Sequence, residues 1–187
     1  MPNVLAAKLG ATHPNGNVKW HELRRAMLEF TPYMIAERFP RIEHDILVAV
    51  DGAVPKHCMG TGLCEWSCVG GSWDVTYRRG KTSEPGDWTN NDAEMAAMFE
   101  ALTRYSEPIA DTGMKPFGDK KILILSDSQF IVNLLHERSA FVSEKFFAAT
   151  REAKDILRHN QNITVKWIPG ELNVVADALS RGLLPLE

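Results

Sequence analysis

The stretch Ile46-Leu47-Val48-Ala49-Val50-Asp51-Gly52 decides the reading of this chain. An unbroken apolar run, rich in β-branched residues, ends in a carboxylate and then a glycine. A run this short and polar-bounded predicts a strand buried on both faces. An acid at the carboxyl end of such a strand projects into the crevice where open α/β sheets bind ligands. Asp51-Gly52 also reads as a plain turn signal, so the other acids of the chain must decide between the two.

Ile122-Leu123-Ile124-Leu125-Ser126-Asp127-Ser128 repeats the device: a second all-apolar strand closed by an acid. If the two strands are neighbours, Asp51 and Asp127 meet at one sheet edge. A third acid, Glu94, falls in the first turns of a helix opened by Thr89-Asn90-Asn91-Asp92, where three plausible N-caps precede an acid suited to the positive helix end. Met95, Met98, Phe99 and Leu102 give that helix its core-facing stripe. Glu94 lies on or beside the stripe, where a carboxylate is costly unless paired or bound to a metal; complementing the helix dipole is the plainer role. A fourth acid, Asp177, shares a helical pattern over residues 171–184 with Leu172, Val175, Ala176 and Leu179. By itself it reads as a solvated helix residue.

Around these acids the elements alternate. Residues 63–69 and 72–78 predict a hairpin through Gly70-Gly71. Residues 129–136 and 143–158 read as helices, and 163–168 as a strand ended by Pro169-Gly170. Three strands, helix, strand, two helices, strand and helix predict a mixed α/β sheet with helices on its faces. Upstream, residues 1–17 read as loop and 20–39 as an amphipathic helix that Thr31-Pro32 would break or kink. That helix either packs on the domain or docks a partner. Residues 1–45 thus form an N-terminal extension to a domain over 46–187.

The 187 residues carry a net charge of -3, so a nucleic-acid partner would need a local basic patch. Arg78, Arg79 and Lys81, followed by Trp88, offer one: they bind phosphate and stack, or they are a solvated strand end, the reading the pattern favours. Cys58, Cys64 and Cys68 are too few and too close for a disulfide framework or a four-ligand zinc site. They read as free thiols in a reducing compartment, cytoplasmic or nuclear. No stretch approaches the length of a membrane span, and the N-terminus shows no secretory signal.

Asp51-Gly52, Thr89-Asn90-Asn91-x-x-Glu94 and Ser126-Asp127-Ser128, in this order on these elements, resemble the ribonuclease H family. Trp167-Ile168-Pro169-Gly170-x-x-Asn173-x-x-Ala176-Asp177-Ala178-Leu179-Ser180-Arg181 is similar to the last strand and helix of ribonuclease H domains in retroelement reverse transcriptases. The resemblance spans about residues 46–182. It implies a five-stranded sheet of order 3-2-1-4-5, with the Asp51 strand central. It implies cleavage of the RNA strand of RNA–DNA hybrids, and association with a reverse transcriptase or polymerase module. Two features depart from the pattern. Glu171 stands where many members carry a histidine that aids turnover, and the basic protrusion of some cellular members has no room between the 129 and 143 helices.

On this resemblance Asp51, Glu94, Asp127 and Asp177 converge at one sheet edge. Four such carboxylates repel one another strongly unless divalent cations neutralise them. An all-oxygen ligand set favours two Mg2+ ions, or Mn2+. Asp51 would bridge the ions, Glu94 and Asp127 would complete one site and Asp177 the other, with Glu171 in an outer shell. Asn90, Asn91 and Asn173, helped by Gly52, Thr89, Ser128 and Gln129, would contact the hybrid minor groove, where 2′-hydroxyls mark the RNA strand. The rival expectations are a transposase, integrase or resolvase on the same fold, and a non-catalytic nucleic-acid-binding relative. The latter would be expected to have lost an acid, and none is lost.

Overall fold

A computed structural model describes residues 2–81, 85–106, 117–136 and 144–183. The strands β1 (Ile46–Ala53), β2 (Gly60–Val69), β3 (Ser72–Lys81), β4 (Ile122–Ser126) and β5 (Ile163–Trp167) form one sheet of order β3-β2-β1-β4-β5. The first three strands pair antiparallel, while β4 and β5 run parallel to β1 and to each other. This is the strand order the resemblance implies. Register pairs Val50 with Ser126, so the two apolar strands end side by side and their acids emerge together.

Alternation along the central strands divides the core. Ile46, Val48, Val50, Ile122 and Ile124 turn to one face, where α3 (Asn90–Ser106), α4 (Gln129–Leu135) and α5 (Glu144–His159) cover them. Leu47, Ala49, Leu123 and Leu125 turn to the other, under α2 (Trp20–Arg38) and α6 (Val174–Ser180). Both faces of β1 are therefore apolar because both are covered, which is why its sequence is a run and not an alternation.

The N-terminal segment corrects the sequence reading twice. Residues 1–17 were expected as loop, yet Pro2–Lys8 is a helix, α1, and a bridge pairs Thr12 with Val18. Ala6 and Ala11 are buried in the same core as Leu47 and Trp66, so tertiary burial orders a segment of weak periodicity. Pro32 was expected to break or kink α2; the helix runs unbroken through it. Proline removes the amide that would bond the Leu28 carbonyl. The indole Nε1 of Trp66 on β2 donates to that carbonyl instead, at 2.7 Å. The same bond ties the N-terminal helix to the sheet.

The last helix is shorter than the apolar pattern predicts. Gly170–Leu172 is a 3-10 turn, and α6 starts only at Val174. Ser143 and Leu184, which the sequence reading placed in helices, lie outside the described residues. No helix among the described residues is long and apolar enough to cross a membrane.

Candidate active site

Each acid arrives by a different local device. Asp51 sits inside β1, one residue past its apolar run, with its partner Gly62 on β2. Gly52 follows because α3 crosses there: a Cβ on Gly52 would stand 2.0 Å from the Ala93 carbonyl carbon and 2.2 Å from the Glu94 nitrogen. A side chain at 52 would therefore push the Glu94 helix off the strand. The helix start is fixed by Thr89 and Asp92, which cap each other reciprocally. The Asp92 amide bonds Thr89 Oγ1 at 3.3 Å, and the Thr89 amide bonds Asp92 Oδ2 at 2.7 Å. Asp127 leaves β4 just before Ser128, whose hydroxyl caps α4 by accepting from the Ile131 amide.

Asp51, Glu94 and Asp127 each offer a carboxylate oxygen, and these atoms all lie within 4.8 Å of one another. They line a cavity of about 250 Å³ with Asn90, Asp177 and Arg181. Asp177 is at the rim and not in the close trio. Its side chain is 42% exposed, and Arg181 Nε donates to its Oδ1 at 2.7 Å. The convergence expected of four acids is thus three close carboxylates and one peripheral one.

The trio is electrostatically costly. Burial, followed by the charges of Asp51 and Asp127, pushes Glu94 up to about 9. Burial raises Asp51 to about 7 against the Ser180 hydrogen bond that lowers it. Burial also lifts Asp127 above its usual range, outweighing the Asn173 amide that donates to it. Glu94 Oε2 is buried and accepts no hydrogen bond. An orphaned, buried carboxylate oxygen beside two other raised carboxylates fits a bound cation. With oxygen donors only, the residues suit hard divalent metals.

Two polar residues hold Asp51 and Asp127, and the sequence reading saw the role of neither. Ser180, 2% exposed, donates to Asp51 Oδ2 at 2.5 Å. Asn173, 1% exposed, donates from Nδ2 to Asp127 Oδ1 at 2.6 Å and to the Val50 carbonyl at 2.9 Å. The expectation that Asn173 contacts a hybrid groove is thereby corrected: its amide is committed inside the protein, bracing Asp127 against β1. The sequence did carry a signal for Ser180, a polar residue three positions after Asp177 on an otherwise apolar helix.

Both residues reach the site because α6 lies unusually close to β2. A Cβ on Gly60 would be 2.0 Å from the Ser180 carbonyl oxygen, and one on Gly62 would be 2.1 Å from that of Ala176. Glu171 falls elsewhere. It lines a separate crevice with Lys8, Arg38 and Leu172, and its carboxyl is held below the usual range by backbone hydrogen bonding, with Arg38 contributing. Among the remaining expected contacts, Asn90 lines the acid cavity, while Asn91 and Gln129 are exposed on the first turns of α3 and α4.

A sheet of this order with strand-end acids facing a helix acid defines a ribonuclease H-like domain. Solved structures agree on the fold. RNase H1 from the halophilic archaeon Halobacterium salinarum is 23% identical, with 72% of this chain and 93% of that one covered and a TM-score of 0.54. LC11-RNase H1, solved in complex with an RNA/DNA hybrid, is 20% identical over 74% and 96% of the two chains, with a TM-score of 0.52. The prototype foamy virus protease-reverse transcriptase is 16% identical over 75% of this chain and 21% of that one, with a TM-score of 0.55. The chain belongs to the Reverse transcriptase-like family, whose pattern matches residues 80–182, more than half of its length. No curated protein sequence matches it.

Proposed function

We propose that this protein is an endoribonuclease that cleaves the RNA strand of RNA–DNA hybrids. The observation that carries the reading is the trio of Asp51, Glu94 and Asp127 oxygens within 4.8 Å of one another in an open cavity. Family membership supports it, as does the hybrid bound to the similarly folded LC11-RNase H1.

In this reading the trio holds divalent cations, Mg2+ or Mn2+, with Asp177 adding an oxygen from the rim. Two such ions, held by Asp51, Glu94 and Asp127, would supply activation of a water and charge stabilisation at the leaving 3′ oxygen. The chain's own residues prepare the place. Ser180 and Asn173 fix Asp51 and Asp127 through one hydrogen bond each. Pre-set ligands need not reorganise when the substrate arrives. Thr89, Asn90 and Asn91 present polar groups at the start of α3, and Gly52, Ser128 and Gln129 do so around the other two acids. These are the candidates for reading 2′-hydroxyls in the hybrid minor groove.

Residues 46–187 form the catalytic unit in this account, and residues 1–45 an extension that shares its core. A reverse transcriptase module is the natural partner, since the foamy virus chain joins the same fold to one. Three free cysteines suit a cytoplasmic or nuclear setting.

The test is a labelled RNA–DNA hybrid incubated with the protein and Mg2+, then Mn2+, beside RNA–RNA and DNA–DNA duplexes. Cutting of the hybrid's RNA strand alone supports the reading. Asp127→Asn should abolish that cutting while leaving the thermal unfolding cooperative. Full activity in that variant would sink the assignment, and cutting of duplex DNA would move it to the transposase and resolvase branch.

A further inference from the structure

Beside the acid cavity lies a second one, of about 360 Å³, between the edge strand β3 and the end of α6. Lys56, Arg79, Lys81 and Arg181 stand in its wall, and no carboxylate does. Pro55 and Arg181 line both cavities, so the basic one continues the acidic one. A protein that must bring a polyanion onto three carboxylates needs compensating charge close by, and this is where the structure puts it.

The backbone supplies the room. Arg79 pairs with Gly62 and Lys81 with Gly60 across the β2–β3 ladder, so each cation has a bare neighbour on the face that α6 approaches. Arg79 Nη1 donates to the Gly182 carbonyl at 2.8 Å, closing the end of α6. Lys56, which lines the cavity, and its neighbour His57 both hold positive φ, 53° and 62°. Two consecutive left-handed residues that are not glycine are strained, and such strain gathers at functional sites. The turn is nevertheless fixed, by Cys58 N–H to the Pro55 carbonyl at 3.1 Å and Gly86 N–H to the His57 carbonyl at 3.0 Å.

We propose that Lys56, Arg79 and Lys81 form a phosphate-tracking groove that grips the sugar–phosphate backbone of the substrate beyond the bond being cut. The inference rests on the hybrid-cleaving reading and gives it a footprint. It also assigns the basic run of β3, whose plainer role is to keep a sheet edge from pairing with another sheet.

The experiment uses the full chain carrying Asp127→Asn, so that a labelled RNA–DNA hybrid is bound and not consumed. Affinity is measured from 50 to 300 mM salt. Adding Lys56→Ala with Lys81→Ala should flatten the slope of log Kd against log salt by about one per lysine that contacts a phosphate. Affinity at low salt should fall roughly tenfold or more. Lys56→Gln with Lys81→Gln should do the same. Arg79 is left in place because it closes α6. Lys120→Ala with Lys121→Ala, at the opposite end of β4, removes equal charge and should leave the slope alone. If the parent binds hybrid and the Lys56/Lys81 pair leaves slope and affinity unchanged, or the control pair moves them equally, the groove is refuted. If the parent fails to bind hybrid at all, the nuclease reading falls and takes the groove with it.

Discussion

Replacing Glu94 by glutamine should stabilise the metal-free protein at neutral pH while weakening its response to metal. Glu94 is pushed up to about 9 from an ordinary 4.5. A carboxyl whose folded pKa is raised contributes stability that is fully present below its unfolded pKa. That stability is lost as pH rises through the window from 4.5 to about 9. At pH 7 the fold is therefore handicapped by 2.5 pH units (7 minus 4.5), an upper bound of about 3 kcal/mol. Part of that handicap is repulsion shared with Asp51 and Asp127, and a glutamine amide in the same place still wants partners that Glu94 Oε2 lacks. A net gain of about 1–2 kcal/mol remains, or roughly 2–8 °C in Tm for a chain of this size. Thermal melts in EDTA at pH 5, 7 and 8.5 measure it. The gap between Glu94→Gln and the wild type should be small at pH 5 and widen towards pH 8.5. Adding Mg2+ should raise the wild-type Tm by mass action and raise the variant's less. A variant no more stable than the wild type at pH 8.5 in EDTA, or a gap that does not change with pH, would refute the argument.

Other consequences follow from the packing of α6. Asn173→Ala leaves the Val50 carbonyl and the Asp127 carboxylate without their donor. It should cost about 1–3 kcal/mol in denaturant unfolding and lower hybrid cleavage at least tenfold; unchanged cleavage would show that Asp127 needs no brace. Gly62→Ala puts a methyl 2.1 Å from the Ala176 carbonyl oxygen. It should destabilise by about 1–3 kcal/mol and depress activity through displaced Ser180 and Asp177, whereas the same change at Gly71, where a Cβ meets nothing but φ is +84°, should lower Tm without touching Mg2+ binding.

What was legible in the sequence was whatever follows from period and position. Two apolar runs ending in Asp read as buried strands, and if neighbours they would bring Asp51 and Asp127 to one edge, as the β1–β4 pairing does. The run of cap-forming residues Thr89, Asn90 and Asn91 before Asp92 likewise announced the helix that carries Glu94, and the structure makes Thr89 and Asp92 the capping pair. The rest depended on contacts far apart in the chain. Nothing near Pro32 says that Trp66 will satisfy the Leu28 carbonyl, so a local rule predicted a break or kink where the helix in fact runs on unbroken. Nothing near Asn173 says that its amide will be spent between β1 and β4, so a polar residue in a motif was read as a substrate contact. Nothing near Gly60 and Gly62 shows why they are glycines, because the reason, the backbone of α6, lies more than a hundred residues away.

These long-range contacts share one logic. Helix α6 brings Ser180 against Asp51, Asn173 precedes it against Asp127, and Asp177 and Arg181 complete the rim, all from a seven-residue helix and its flanks. Such a short helix has little stability of its own, so its position must come from docking. Gly60 and Gly62 let it lie on the sheet at backbone contact, and Leu179, Ala176 and Val175 bury it in the core that α1 and α2 close from outside. The N-terminal extension therefore bears on the acids without touching them: it completes the apolar layer that holds α6, and α6 holds the carboxylates. Loosening α2, for instance by removing the Trp66 indole that ties it to β2, should reach the site by the same route, as a loss of Mg2+-dependent stabilisation that exceeds any change in the acids themselves.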